Sequence, residues 1–186
     1  MARKSLNEML ADLSVSFPDN NTGAITPVVL RSYFDDLIKA IRPSYALLTR
    51  DVAVAQAITT AAAPLVFTSS DIAAAQGEYT ALPASGRITR LDAGVCQFNF
   101  TADISSPSNS TRLLTFTLYK NGVPTAFKQS QSFGTAGEVI SVTFGALQSN
   151  PALANYDMYV QSSVAETFTF SEMLFLAQTI PANNPV

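Results

Sequence analysis

The sequence predicts a mainly β protein: an antiparallel sandwich of about 8–10 strands behind a small helical amino-terminal piece. Three observations carry this. In residues 96–104 the even positions are Cys96, Phe98, Phe100, Ala102 and Ile104, and the odd ones are Gln97, Asn99, Thr101 and Asp103, the period of a strand with one buried and one wetted face. Leu114, Phe116 and Leu118 alternate with Thr115, Thr117 and Tyr119, and Asn121-Gly122 follows directly, the strongest short signal for a hairpin. Clusters of Gly, Asn, Ser and Pro punctuate residues 105–110, 134–137 and 148–155, with no long helical pattern between them.

Taken in order, Ser5 and Glu8 form a capping box, and Leu6, Met9, Leu10 and Leu13 recur at helical spacing, predicting a helix over residues 5–14. Residues 18–23 read as a turn, because Pro18 ends a helix and the Asx and Gly residues accept left-handed geometry. Thr26 then caps a second helix with Pro27 in its first position. Leu30, Phe34, Leu37, Ile38 and Ile41 make one apolar stripe along it, with Arg31, Asp35, Asp36 and Lys39 mostly elsewhere, and Pro43 stops it. Isolated helices below about 12–15 residues are marginal in water, so both stripes need a surface. That surface is the rest of the chain, sister chains, or another protein on which residues 1–45 act as an attachment module.

Residues 46–63, rich in Ala and Val with no strong period, read as a connector, residues 64–180 as the sandwich and residues 181–186 as a tail. Weaker strands are expected at residues 65–68, 78–82 and 87–91, and stronger ones at 96–104, 114–119, 123–129, 139–144, 156–162 and 168–177. On the last of these, Phe168 and Phe170 share a phase that Leu174 and Leu176 continue, while Met173 and Phe175 take the opposite face. Two apolar faces mean two covers: the core on one side, and either a further layer or another subunit on the other. The subunit reading places Phe168, Phe170, Met173 and Phe175 at an interface between copies.

Composition removes whole classes of function. The chain of 186 residues has no histidine, which closes Ser-His-Asp triads, Cys-His pairs and histidine-held metals. Its one cysteine, Cys96, cannot form an internal disulfide, and its phase with Phe98 predicts a buried thiol acting as a small hydrophobe. Asp35 and Asp36 are neighbours on a helix and diverge by about 100°, so they make no acid/base dyad. The loop acids Asp71, Glu78, Asp92 and Asp103 have no calcium-loop spacing, and residues 134–137 do not form a phosphate-cradling loop. The expectation is no enzyme, no cofactor and no metal. Net charge is -3 with eleven basic residues, which argues against a partner bound through nucleic-acid phosphates. The apolar run at residues 52–70 contains Gln56, Thr59, Thr60 and Pro64 and is mostly alanine, so no membrane insertion is expected, and Asn7, Glu8 and Asp12 interrupt the stretch after Arg3 and Lys4, so no targeting signal is expected either. Only 13% of the residues are charged, against about 25% in an average soluble protein. The shortage is local: 11 of the charges lie in residues 1–50 and 14 in residues 51–186.

The run from Leu91 through Asp92, Gly94, Val95, Cys96, Phe98 and Phe100, with Leu118-Tyr119-Lys120-Asn121-Gly122 after it, resembles the tumour necrosis factor and complement globular-head jelly-roll superfamily. Cys96 stands where that pattern usually has an aromatic residue. The resemblance spans residues 64–180 and implies a jelly roll forming a homotrimer with its inner sheet along the threefold axis. Residues 17–31, from Phe17-Pro18-Asp19-Asn20 through Thr22-Gly23 and Thr26-Pro27 to Leu30-Arg31, resemble an opening found in virion proteins of tailed bacteriophages. That likeness implies an attachment module for a particle.

Together these imply a structural virion protein, a homotrimeric head decoration or head fibre. It would be made in the host cytoplasm and carried on the particle's exterior. Its docking residues would be Leu6, Met9, Leu10, Leu13, Leu30, Phe34, Leu37, Ile38 and Ile41, set against the major capsid protein or another virion protein. The competing reading is a tail-fibre tip, adhesin head or neck fibre that binds host-surface glycan.

Overall fold

Among the described residues the chain builds β1 (Tyr45–Arg50), β2 (Val54–Ile58), β3 (Ala63–Pro64), β4 (Ile72–Gln76), β5 (Tyr79–Leu82) and β6 (Arg87–Arg90). The chain continues through β7 (Gly94–Ser105), β8 (Arg112–Lys120), β9 (Val123–Phe133), β10 (Val139–Asn150), β11 (Ala154–Ser162) and β12 (Glu166–Ile180). The computed structural model describes residues 31–34, 37, 44–67, 72–150 and 153–180. The chain divides into two units, Met1–Pro43 with Pro181–Val186, and Ser44–Ile180. In the first, residues 31–34 and 37 are helical, inside the second predicted helix. The rest of that helix, the predicted first helix and the turn between them lie outside the described residues.

The second unit is a sandwich of two six-stranded antiparallel sheets. The first sheet runs β10-β7-β12-β1-β4, with β2 also paired to β12, and the second runs β5-β6-β11-β8-β9, with β3 paired to β11. Asn121 and Gly122 both have positive φ, 51° and 78°, as the tight turn between β8 and β9 requires. Gly86 has a φ of 63° and passes the Leu65 carbonyl so closely that a Cβ there would lie 2.1 Å from its oxygen, so no side chain fits.

The strands correct three expectations. Residues 46–63 are not a connector: β1 and β2 lie there and pair with β12, so the sandwich begins near residue 45 rather than 64. Residues 65–67 are not strand, although Leu65 and Phe67 are buried, and Leu65 N donates to Met158 O at 2.8 Å. β4 was not expected at all.

Aromatic side chains from both sheets fill the space between them. Phe98 meets Tyr156 at 4.3 Å between ring centroids, Phe100 meets Phe116 at 5.5 Å, and Phe133 meets Phe168 at 5.8 Å. Each of these pairs joins one sheet to the other and adds about 0.5–1.5 kcal/mol beyond its area burial. Phe100 is fully buried, and truncation of such a side chain leaves a cavity that its neighbours fill only in part. Phe100→Ala is therefore expected to lower the unfolding free energy by about 3–5 kcal/mol, read from urea denaturation midpoints at unchanged slope.

Candidate functional site

The four residues assigned to a subunit interface lie inside the sandwich. Phe168, Phe170 and Phe175 are 0% exposed and Met173 is 2% exposed, so no second copy can reach them. The cause is a β-bulge: Phe170 pairs with Ile104, Glu172 pairs with Asp103, and Ser171 has no partner between them. One extra residue reverses the phase of everything after it. Met173 and Phe175 thereby join Phe168 and Phe170 in the core, and Leu174 and Leu176 turn outward.

The bulge thus moves the candidate interface from one set of residues to another. On the outer face of the first sheet, Tyr45, Gln178, Gln97 and Leu147 stand in one row across β1, β12, β7 and β10. The next row is Ala74, Leu47, Leu176, Asn99 and Gly145, and the next Thr49, Leu174, Thr101 and Thr143. None of these residues is charged, and Gln178 Nε2 donates to Gln97 Oε1 at 3.0 Å within the face. Charge returns only past the bulge, at Asp103 and Glu172. An uncharged face of this breadth, on a sheet whose other face is the core, is suited to a partner against which charges would be costly.

Of the docking residues, Phe34 and Leu37 are among those described. Phe34 is exposed and helical, and Leu37 is half-buried and helical. Leu6, Met9, Leu10, Leu13, Leu30, Ile38 and Ile41 lie outside the described residues. The chain enters the sandwich beside the point where it leaves: Tyr45 pairs with Gln178, and Thr179 N donates to Ser44 O at 3.0 Å.

At that entry end the sheets enclose a polar cluster the sequence did not reveal. Arg90, 1% exposed, donates from Nε to Asp92 O at 2.7 Å, from Nη2 to Ala93 O at 3.1 Å and to Glu78 Oε2 at 3.3 Å, and from Nη1 to Cys96 Sγ. Its guanidinium also lies 5.7 Å from the centre of the Tyr79 ring. Burial opposes the charge on Arg90, but the hydrogen bond to Cys96 and the neighbouring Tyr79 and Glu78 hold its pKa above the ordinary value. Thr179 Oγ1 lies 3.2 Å from Glu78 Oε2 and 3.3 Å from the Tyr79 hydroxyl. Cys96 is fully buried as its phase predicts, though its sulfur faces this charged group as well as the apolar core.

Elsewhere the chemistry is sparse. Of the loop acids, Asp71 lies outside the described residues, Glu78 pairs with Arg90, Asp92 meets the same arginine through its carbonyl, and Asp103 accepts from Ser141 Oγ. Among the described residues no group of His, Cys, Asp and Glu is placed to hold a metal ion, and no helix is long and apolar enough to cross a membrane. A cavity of about 340 Å³ beneath β2 and β3 is walled by Val54, Ile58, Pro64, Val66 and Val160 beside Arg50. Arg50 Nε and Nη1 donate there to the carbonyls of Val52 and Val66. No acid or nucleophile lines it.

No protein-family model matches the sequence, and no curated protein does. Solved structures do. The chain is similar to Eiger TNF from S. frugiperda at 11% identity and a TM-score of 0.53, over 78% of this chain and 98% of that one. It is similar to the globular domain of zebrafish complement 1qA at 15% identity and a TM-score of 0.50, over 74% and 97% of the two chains. Murine APRIL matches at 9% identity and a TM-score of 0.51, over 75% and 100%. The sandwich is therefore a jelly roll of the tumour necrosis factor and complement globular-head type.

Burial raises the pKa of the Tyr79 hydroxyl well above its ordinary value, with the Thr179 hydrogen bond offsetting only part of the rise. The folded state therefore keeps a proton that the unfolded chain releases above about pH 10. Unfolding then sheds that proton, so stability contributed by Tyr79 is intact below about pH 10 and declines as pH rises beyond it. In denaturant melts from pH 8 to 11, Tyr79→Phe is expected to decline less steeply than the parent over the upper part of that range.

Proposed function

We propose that the protein is a homotrimeric accessory structural protein on the exterior of a tailed-bacteriophage virion, a head decoration or head fibre. Its amino-terminal segment docks on the major capsid protein or another virion protein, and its jelly roll projects outward. The observation that carries the assembly is the uncharged outer face of the first sheet, where Leu47, Leu174 and Leu176 are only half-buried by their own chain. Packing that face against two further copies removes it from water without desolvating a charge. The attachment role is supported by the likeness of residues 17–31 to openings of virion proteins.

Three measurements test this reading. Leu176→Glu places a charge on the outer face without entering the core, so the variant is expected to keep its fold by circular dichroism and to sediment as a monomer while the parent sediments as a trimer. A monomeric parent would overturn the assembly. Removal of residues 1–42 is expected to leave a folded trimer that no longer joins particles when expressed during infection, and retained incorporation would exclude the attachment role. Copy number on the particle separates head from tail, since a decoration or head fibre is present many times and a tail tip only a few.

A further inference from the structure

The outer face of the second sheet differs from that of the first. Tyr119 on β8 and Tyr159 on β11 stand diagonally across neighbouring strands with their rings stacked, 3.7 Å between centroids and 14° between planes. Beside them Arg87 on β6 grips Asp157 on β11 with two hydrogen bonds, Nε to Oδ1 at 2.9 Å and Nη2 to Oδ2 at 3.2 Å. Asp157 is 1% exposed although it occupies an outward position, so its carboxylate is withdrawn beneath the guanidinium. Its hydrogen bonds and charge raise the pKa of Arg87. Hydroxyl and amide groups complete the surface: Thr89 Oγ1 donates to Asn155 Oδ1 at 2.8 Å, and Thr115 and Ser130 share a 2.9 Å hydrogen bond.

Charge on this face is one-sided. Among the described residues its outward positions carry three groups charged at neutral pH, Arg87, Asp157 and Lys128. Arg87 and Asp157 neutralise each other, and Lys128, exposed on the edge strand, has no ion pair among the described residues. The face therefore carries one net positive charge in a chain whose net charge is -3. Thr117 separates Lys128 from Tyr159, since it pairs with both. Two strand spacings, about 10 Å, separate the backbones of Lys128 and Tyr159.

We propose that this face binds an acidic saccharide, its sugar ring set against the Tyr119–Tyr159 stack and its carboxylate meeting Lys128. A sugar presents an apolar C–H face and a rim of hydroxyls. The negative face of an aromatic ring attracts polarised C–H groups, and a ring pair already held by mutual stacking loses little freedom on binding. Thr89, Thr117, Asn155 and Ser130 offer oxygens that accept from the rim and hydroxyls or an amide that donate to it. The withdrawn Asp157 matters most for selectivity, because a carboxylate standing free among these groups would repel an acidic ligand. The inference goes beyond the virion reading and does not rest on it, since the surface belongs to one protomer and lies on the sheet not used for assembly.

The probes are trigalacturonic acid and neutral maltotriose, titrated into the full chain by isothermal calorimetry and by amide chemical-shift mapping. Trigalacturonic acid is expected to bind, with shifts confined to β6, β8, β9 and β11, and to bind more tightly than maltotriose. Tyr159→Ala is expected to weaken it about tenfold and Tyr159→Phe to restore it. Lys128→Gln is expected to weaken it about fivefold and to reduce its dependence on salt. Leu176→Glu, on the other sheet, leaves affinity per protomer unchanged. Absence of trigalacturonic acid binding, equal affinity for maltotriose, or binding indifferent to Tyr159→Ala would each overturn the proposal, while a failure of trimer or particle assembly would leave it standing.

Discussion

A single unpaired residue, Ser171, sets how the sandwich divides inside from outside. β12 is fifteen residues long and lies at the centre of the first sheet, against β7, β1 and β2. Without the bulge its second half would turn Leu174 and Leu176 into the core and Met173 and Phe175 out of it. With it, Phe168, Phe170, Met173, Phe175 and Ala177 all face inward. The aromatic packing of the core depends on this, since Phe175 reaches Phe98 of the same sheet at 6.0 Å between ring centroids, and Phe98 in turn meets Tyr156 of the other sheet. So does the outer surface, because the leucines that leave the core become the centre of the uncharged face.

The two outer faces differ in how they carry the shortage of charge. One is bare of charge across successive rows and keeps half-buried leucines beside amides and hydroxyls. The other keeps a cation, a neutralised ion pair and a pair of stacked tyrosines. The most deeply buried ion pair among the described residues is inside, Arg90 with Glu78, where removing either partner would strand the other without its charge partner, a change that typically costs several kcal/mol. That cluster joins the corner before β5, the loop between β6 and β7, and the end of β12. It closes the end of the sandwich where the chain enters.

What the sequence disclosed and what it hid follow from the same physics. Residues 96–104 and 114–119 were legible because one face of each strand is wet and polar, so period two stands out, and Asn121-Gly122 declared its turn through the conformations those residues tolerate. β1 was not legible because both of its faces are apolar: Ala46 and Leu48 point into the core, while Leu47 and Tyr45 lie on the uncharged outer face. β2 and β4 are rich in alanine, which has little strand preference. The interface residues were misplaced because period counting across residues 168–177 assumed an unbroken strand, and no residue type marks a bulge at Ser171. Nor could spacing show that Arg90 lies buried beside Cys96, since a strand-end arginine ordinarily reaches solvent.

The shared entry and exit also determine how the domain would bear load. A pull applied at Ser44 against the body of the sandwich acts along the axis of β1, which is hydrogen-bonded to β12 on one side and β4 on the other. Both ladders are then strained lengthwise. Their hydrogen bonds must shear together rather than break in succession, so rupture meets a single large barrier, the quantity that governs forced unfolding. The strand that would carry such tension is clamped between two neighbours.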